Sequence, residues 1–191
     1  ETLDEKVDKQ VAVYYAYGEI VQTPATGLGQ TAPQIVGTKM IDDLQKLRQD
    51  DDVKAVVIRV NSPGGSAFAS EQIWREVCLL KEKKPVIISM GGLAASGGYY
   101  ISAPADAIVA NQMTVTGSIG VFGIMLEGGQ MLKDKLGVTY DTVKTNPSAD
   151  YGAGVLGLAL RKPTASERAM LIKSVDKVYG AFTSKVAAGR N

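Results

Sequence analysis

Two apolar runs, each ending in a glycine-rich turn, constrain the fold of this chain more strongly than any other feature. The run AVVIRV at 55–60 is almost continuously apolar, and the turn NSPGG at 61–65 follows it. The run PVIISM at 85–90 leads directly into GGLAASGG at 91–98. A nearly unbroken apolar run is typical of a strand covered on both faces, as in a parallel sheet. Both runs therefore predict central strands of an α/β domain.

The remainder of the chain alternates between strand-like and helical patterns. On the same grounds, further strands are predicted at residues 11–17, 107–110, 114–122 and 138–144. The spacing of apolar residues predicts helices near 40–47, 73–80, 130–136 and 171–186. Together these elements predict one α/β domain over residues 1–191, with a mainly parallel sheet and flanking helices.

Several helix ends are marked by their residue types. Ser70 is predicted to be the N-cap of the second helix, because serine oxygens accept hydrogen bonds from free N–H groups there. Thr164 and Glu167 have the spacing of a capping box for the last helix. Gly137 is predicted to close the third helix.

Composition excludes several classes of function. The chain has 191 residues, a net charge of +1 and no histidine, so nucleic acid is not an expected partner. A zinc site is not expected with no histidine and a single cysteine, and no cofactor is predicted. That residue, Cys78, has no partner for an internal disulfide and is predicted to be a core residue. The chain begins at Glu1, and we expect it to be a fragment of a longer protein.

The two glycine turns are predicted to meet at one site. Ligands in parallel α/β sheets gather beyond the carboxyl ends of the strands, where both turns are placed. The predicted lining is Ser62, Pro63, Gly64 and Gly65 from the first turn, with Gly92 and Leu93 from the second. Either turn alone needs glycine only for its tight backbone. Two turns with unblocked N–H groups at helix starts can together hold an oxyanion.

Ser96 has two interpretations. It stands at the start of a predicted helix, where most serines only cap the helix. Its neighbours are Ala94, Ala95, Gly97 and Gly98, and such small residues let a substrate backbone approach the hydroxyl. Ser96 is therefore a candidate nucleophile as well as a candidate cap.

A base for Ser96 must be something other than histidine, because the chain has none. The common alternative is a neutral lysine. Lowering a lysine pKa from about 10.4 to about 7 requires burial or cationic neighbours and costs about 4 to 5 kcal/mol. Lys144, at the end of a predicted strand, is the best internal candidate, although a solvated strand end also explains it.

Three motifs resemble the signal peptide peptidase A (protease IV) family. They are NSPGG at 61–65, SMGGLAASGGYYISAPAD at 89–106 and TGSIGVFG at 116–123. The likeness covers nearly all of residues 11–188, with the same order of motifs and similar spacing.

The resemblance implies a Clp protease/crotonase-like fold and a Ser-Lys serine peptidase. Such enzymes are oligomeric, are anchored to the membrane of the bacterial envelope and degrade cleaved signal peptides. Ser96 matches the nucleophile of the family, and Gly65 and Gly97 match its backbone oxyanion donors. Ser118 falls in a segment that resembles part of the substrate groove.

The family's lysine is missing from its place in short members. The loop after the predicted strand at 138–144 reads TNPSAD at 145–150 and contains no lysine. Long members have two homologous halves, with the serine in the C-terminal half and the lysine in the N-terminal half. This chain resembles the serine half, so an upstream half or a neighbouring subunit is expected to supply the lysine.

Two other functions remain open. A crotonase-like acyl-CoA enzyme also uses paired backbone N–H groups, and it would not need the Ser96 hydroxyl. A catalytically silent scaffold half would only present a peptide groove. The segment 152–157 matches G-x-G-x-x-G, but Pro147 and Pro163 interrupt the strand and helix that a dinucleotide site requires, which predicts a loop.

Overall fold

The structure is a computed structural model that describes residues 9–24, 32–155 and 158–190. Its contacts group the chain into two compact units, residues 1–120 with 179–191 and residues 121–178. The assignment of residues 1–191 to a single domain stays a prediction.

The first unit contains the central sheet. Its strands are β1 (Gln10–Tyr17), β4 (Val53–Ser62), β5 (Val86–Ala95), β6 (Ala107–Val109) and β7 (Val115–Gly117), with a separate pair β2 (Glu19–Val21) and β3 (Gln34–Val36). The order is β1-β4-β5-β6, and β7 pairs with the end of β5. All of these pairings are parallel, as the two apolar runs predicted.

Helices cover one face of this sheet. They are α1 (Gly37–Gln49), α2 (Ala67–Lys81) and α3 (Gly97–Ser102). Their core-facing side chains include Met40, Leu44, Ile73 and Val77, all buried. On the central strands the even-numbered positions 56–62 of β4 and 86–90 of β5 are buried, for example Ile58 between Val56 and Val60. The helices and the even-numbered face therefore form one hydrophobic core.

The prediction that the central strands are covered on both faces is wrong for the described residues. The odd-numbered positions of β1 (11–17), β4 (55–61), β5 (87–89) and β6 (107–109) are exposed or half-buried. We call these positions the open face. The sequence does not reveal the open face, because valine, isoleucine and alanine occupy both faces of the strands and no regular alternation with polar residues results.

The second helix begins four residues earlier than predicted. Its N-cap is Ser66, whose Oγ accepts a hydrogen bond from the Ala69 N–H at 3.2 Å. Ser70 is buried in the first turn, and its hydroxyl donates to the Ser66 carbonyl at 2.8 Å. Serine is a favoured N-cap residue at either position. The helix begins at the earlier serine, directly after the tight turn at Gly64 and Gly65.

The second unit contains α4 (Gly129–Leu136) and a short antiparallel pair, β8 (Gly154–Val155) with β9 (Leu158–Ala159). Gly137 closes α4 in the left-handed conformation, with φ of 63°, as predicted. The predicted strand at 138–144 is absent, and only 115–117 of the strand predicted at 114–122 forms. Neither missing stretch pairs with a neighbouring strand in the described part of the chain.

The last helix, α5 (Ala165–Arg190), has the predicted capping box. The Thr164 N–H donates to Glu167 Oε2 at 2.7 Å, and the Glu167 N–H donates to Thr164 Oγ1 at 3.3 Å. In the first unit, Phe182 of this helix is buried against the Tyr100 ring. In the second unit, its residues Leu171 and Val175 remain exposed. None of the helices among the described residues is long and apolar enough to cross a membrane.

Candidate active site

The two glycine turns lie in direct contact. A Cβ atom placed on Gly64 would lie 2.6 Å from the Gly97 nitrogen and 2.8 Å from the Ser96 Cβ. Gly64 has φ of 100°, a conformation that side chains other than glycine rarely adopt. A Cβ on Gly98 would lie 3.0 Å from the Ser62 carbonyl oxygen. The backbones approach this closely only because glycines stand at the points of contact.

Ser96 has a strained backbone and an uncommitted hydroxyl. Its φ is 51° and its ψ is −120°, between the end of β5 and the start of α3. Its side chain is half-buried and makes no capping hydrogen bond to the helix that follows. The conformation resembles the sharp strand-to-helix turn that presents nucleophilic serines in other α/β enzymes. The structure therefore does not support the alternative that the Ser96 hydroxyl caps the helix.

The strand β7 fixes the backbone of Ser96. The Ser96 N–H donates to the Gly117 carbonyl at 2.9 Å, and Thr116 Oγ1 donates to the Ala94 carbonyl at 2.8 Å. Ser118, the next residue of the segment, is exposed and has φ of 50°. Ser96 and Ser118 are the non-glycine residues with positive φ in the described ranges. Such strain concentrates at functional sites because the surrounding structure must hold it.

Among the residues that the structure describes, no neighbouring element accepts a hydrogen bond from the backbone N–H groups of Gly65 and Gly97. Gly65 is bridged to Ile20, but the bonds run from the Ile20 N–H to the Gly64 carbonyl and from the Ser66 N–H to the Ile20 carbonyl. The Gly65 N–H takes no part in that bridge. Gly97 is the first residue of α3, where an N–H has no acceptor within the helix.

The other residues of the predicted lining differ in exposure. Pro63, Gly65 and Gly92 are exposed, and Leu93 is half-buried. Ser62 differs from the expectation for a groove residue, because its side chain is fully buried and its Oγ accepts the Gly64 N–H at 3.1 Å. Ser62 thus supports the glycine turn from the inside.

Lys144 is a poor candidate for a neutral base. It belongs to the second unit, and its Nζ lies 3.1 Å from Asp150 Oδ2. This contact engages the Lys144 amine in an ion pair.

Sequence reasoning missed Lys185, a half-buried lysine of α5. Its ammonium pairs with Glu71 and lies 3.7 Å from the centre of the Trp74 ring. Carboxylates and aromatic faces are both partners of a charged amine, so Lys185 fits a structural role. Only the tertiary fold brings residue 185 to residue 71, so no local pattern could reveal this contact.

Glu71 also joins the helices that follow the two glycine turns. It is in α2 and accepts a hydrogen bond from the Tyr100 hydroxyl of α3. Burial, together with the Glu71 carboxylate, raises the pKa of Tyr100 above its ordinary value. Burial alone would raise the pKa of Glu71, but the hydrogen bonds from Lys185 and Tyr100 bring it below the usual value.

The described residues contain no cluster of histidine, cysteine, aspartate or glutamate that could hold a metal ion. Cys78 is half-buried in α2, and its burial raises the pKa of the thiol. In the G-x-G-x-x-G segment, Gly154 belongs to an antiparallel hairpin and no helix opens in its described part, so the dinucleotide motif is not formed. Residues 156 and 157 of this segment lie outside the described residues.

Comparison with known proteins gives several related sequences. The chain is 37% identical over 182 residues to "Serine protease SPPA, chloroplastic" of Arabidopsis thaliana, covering 95% of this chain and 26% of that protein. It is 40% identical over 183 residues to "Protease 4" of Salmonella typhi, and the match covers 94% of this chain and 27% of that protein. It is 35% identical over 195 residues to "Putative signal peptide peptidase SppA" of Enterococcus faecium, and the match covers 100% of this chain and 54% of that protein. The chain thus spans about a quarter to a half of the length of these relatives.

Family descriptions match most of the chain. The description "Clp protease" matches residues 8–114, which confirms the predicted Clp protease-like α/β fold. A solved structure, ClpP1 from Listeria monocytogenes, is 23% identical with a TM-score of 0.39, covering 49% of this chain and 46% of that one. The description "Peptidase family S49" matches residues 79–191, a segment that includes Ser96 and Ser118. The chain belongs to peptidase family S49.

Proposed function

We propose that this chain is the serine-bearing part of a serine endopeptidase. The observation that carries the proposal is the backbone of Ser96, held at φ of 51° with its hydroxyl free of the helix it precedes. Holding a serine in this conformation costs roughly 1–3 kcal/mol, and a mere cap gains nothing from that strain. In the proposed reaction, the Ser96 Oγ attacks the scissile carbonyl and forms an acyl-enzyme, which water then hydrolyses.

The proposed oxyanion donors are the N–H groups of Gly65 and Gly97. The contact of Gly64 with the Gly97 nitrogen brings the two turns together, so both donors can face one carbonyl oxygen. Pro63, Gly64, Gly92, Leu93 and Ser118 are proposed to line the groove in which an extended peptide binds. Leu93, Ala94 and Ala95 carry no charge, which favours substrates with small or apolar residues beside the cut bond.

A lysine from an upstream homologous half, or from a neighbouring subunit, is proposed as the general base. Among the described residues no lysine amine hydrogen-bonds to Ser96, and Lys144 and Lys185 are both paired with carboxylates. Such a lysine would take the proton of the Ser96 hydroxyl and later return a proton to the leaving amine, forming a Ser-Lys dyad.

We propose cleaved signal peptides in the bacterial envelope as substrates, in a membrane-anchored and oligomeric full-length protein. The name of the Enterococcus relative supports the substrate class. Exposed apolar side chains of the second unit, such as Phe122, Ile124 and Ile172, support assembly with further polypeptide.

The first experiment compares the full-length protein with its Ser96→Ala variant. Turnover of a signal-peptide substrate is expected to fall by roughly 10³-fold or more, because the acyl-enzyme cannot form. Peptide binding, measured by fluorescence anisotropy, is expected to change little. Turnover that survives the substitution would contradict the nucleophile role and favour the acyl-CoA alternative, which a coenzyme A binding assay then tests.

The second experiment separates the nucleophile from its base. The isolated residues 1–191 are expected to bind the peptide but not turn it over, whereas the full-length protein, with its upstream half, is expected to cleave it. A fluorophosphonate probe should label the full-length protein readily at Ser96. Full turnover by the isolated chain would show that the base lies within it. A full-length protein that neither cleaves nor labels would indicate a silent scaffold.

A further inference from the structure

The open face presents apolar side chains to solvent over most of its area. Val11, Val13 and Tyr15 of β1 are exposed by 61%, 52% and 65%. The register places Val13 beside Val57 and Val57 beside Ile87, so that one apolar row crosses three strands. With the spacing of strands and residues in sheets, the face measures roughly 20 Å by 14 Å. A parallel sheet with such a face normally buries it against another layer.

One positive charge lies within this face. The next row along the strands contains Tyr15, Arg59, Ser89 and Val109 in register. Arg59 Nη1 donates to Ser89 Oγ at 2.8 Å and to the Met90 carbonyl at 2.7 Å. These bonds hold the half-buried guanidinium in a fixed position on the sheet.

The guanidinium retains unused donors. A guanidinium has five N–H groups, and the two hydrogen bonds of Arg59 both come from Nη1. Its Nε and Nη2 groups have no partner, and no carboxylate pairs with Arg59, among the residues that the structure describes.

A cavity lies against Arg59. It has a volume of about 500 Å³, and Arg59, Ser89, Asn111 and Thr114 are among the residues that line it. No aspartate or glutamate of the described chain lines the cavity. Among the described lining residues, Arg59 carries the only formal charge. A planar guanidinium with free donors in such a site matches a carboxylate, which can accept two parallel hydrogen bonds.

We propose that the open face is the docking site for an apolar peptide segment that carries one carboxylate, and that this carboxylate binds Arg59 at the cavity. The segment is supplied by the longer polypeptide outside residues 1–191. The relatives support this source, since the chain spans only 26% and 27% of two of them and 54% of a third. The inference does not depend on peptidase activity.

The charge pattern argues against a second copy of the same face as the occupant. Face-to-face pairing would bring two Arg59 side chains into one apolar interface. The open face has no acidic residue at any of its positions to compensate them. Burying two like charges in one interface is unfavourable, because each ion loses its hydration and gains no opposite charge in return.

Photo-crosslinking in the full-length protein tests the docking. Tyr15 is replaced by p-benzoylphenylalanine, and the matched control carries the same replacement at Phe68, an aromatic residue of α2 that is 63% exposed. The expected result is a crosslink from position 15, within one polypeptide, to an apolar segment outside residues 1–191 that contains an aspartate or glutamate. A crosslink to a second copy, to residues 1–191 themselves, or at no higher yield than the Phe68 control would overturn the proposal.

Charge reversal tests the contact with Arg59. Arg59→Glu is expected to lower the crosslink yield at position 15 by about tenfold, corresponding to about 1.4 kcal/mol. Changing the acidic residue of the crosslinked segment to lysine in the same protein should restore the yield. If Arg59→Glu does not fold, Arg59→Gln provides the same comparison without the repulsion. An unchanged yield in a folded variant would show that the carboxylate contact does not exist.

Discussion

At the scale of single residues, the site depends on glycines, which have no Cβ atom at the points where the two turns touch. Gly64 and Gly97 lie so close that a methyl group on either would collide with backbone or side-chain atoms. A Cβ on Gly97, for example, would lie 2.6 Å from the Ser70 Oγ. Ser96 has a positive φ, and the hydrogen bond from its N–H to the Gly117 carbonyl helps to hold that conformation.

Gly64→Ala should destabilise the chain and disable the site. The new methyl group meets the Gly97 nitrogen, and alanine disfavours a φ of 100°, so we expect a loss of about 2 kcal/mol or more in the free energy of unfolding. The rate of fluorophosphonate labelling of Ser96 in the full-length protein should also fall, because the same methyl group displaces the turn that contains Ser96. The measurements are urea unfolding and labelling kinetics.

Gly180→Ala is the control, with an effect of opposite sign. Gly180 is inside α5, and a Cβ there meets nothing within 4 Å. Alanine is the better helix former, so stability should rise by about 0.5–1 kcal/mol without any effect on labelling. Equal effects of the two substitutions would argue against the packing of the two turns.

At the scale of elements, Lys185 is one of the side chains that join the C-terminal part of α5 to the other helices of the first unit. Lys185 contacts Glu71 and Trp74 of α2, while Phe182 packs on the Tyr100 ring at 4.7 Å between centroids. These contacts connect the last helix with the helices that follow both glycine turns.

Lys185→Gln should weaken this attachment. The substitution removes an ion pair and a cation–π contact, so we expect a loss of about 1 kcal/mol in stability. Trp74 is the single tryptophan of the chain, and its fluorescence should change when the ammonium leaves its ring. Lys177→Gln, on an exposed position of the same helix, should alter neither quantity. An unchanged Trp74 spectrum in Lys185→Gln would contradict the contact.

The start of α5 depends on ionised carboxylates. Arg161 hydrogen-bonds to Glu167 at 2.8 Å and to Asp150 at 2.7 Å. The Arg161 guanidinium, then the Thr164 N–H, lowers the pKa of Glu167 well below its usual value, and Arg161 does the same for Asp150.

A carboxyl whose pKa is lowered by folding stabilises the chain fully above its ordinary pKa, and this stabilisation is lost as the pH falls toward the folded value. Thermal unfolding should therefore show Glu167→Gln well below the wild type at pH 7, with the difference shrinking between about pH 5 and pH 2. The control is Asp134→Asn, at an exposed acid of the same unit with no ion pair among the described residues, and it should change the unfolding temperature at pH 7 much less than Glu167→Gln does. A difference for Glu167→Gln that stays constant would contradict the network.

At the scale of the whole molecule, the two units differ in how much core they have. The main hydrophobic cluster contains residues from Ala16 to Ala105, all in the first unit. In the second unit, apolar side chains such as Phe122 and Val143 are largely exposed.

Hydrogen exchange should follow this difference. Amides of β4 and β5 are expected to exchange most slowly, near the rate of global unfolding, because both strands pair on two sides above a buried core. Amides of α4 and of the β8–β9 pair should exchange at least tenfold faster, through local opening. The measurement is exchange followed by mass spectrometry on the isolated chain, and uniform protection across both units would contradict it.

The sequence by itself determined the parallel α/β class, the places of β4 and β5, the capping box of α5 and the importance of the turns around Gly64 and Ser96. These features depend on local patterns, in which a few neighbouring residues decide the backbone conformation. The tertiary structure alone decided that Ser66 rather than Ser70 begins α2, that residues 138–144 form no strand, that Lys185 meets Glu71, and that the sheet has an open face around Arg59. Each of these depends on which distant segment is present to pair or pack, and no local pattern contains that information.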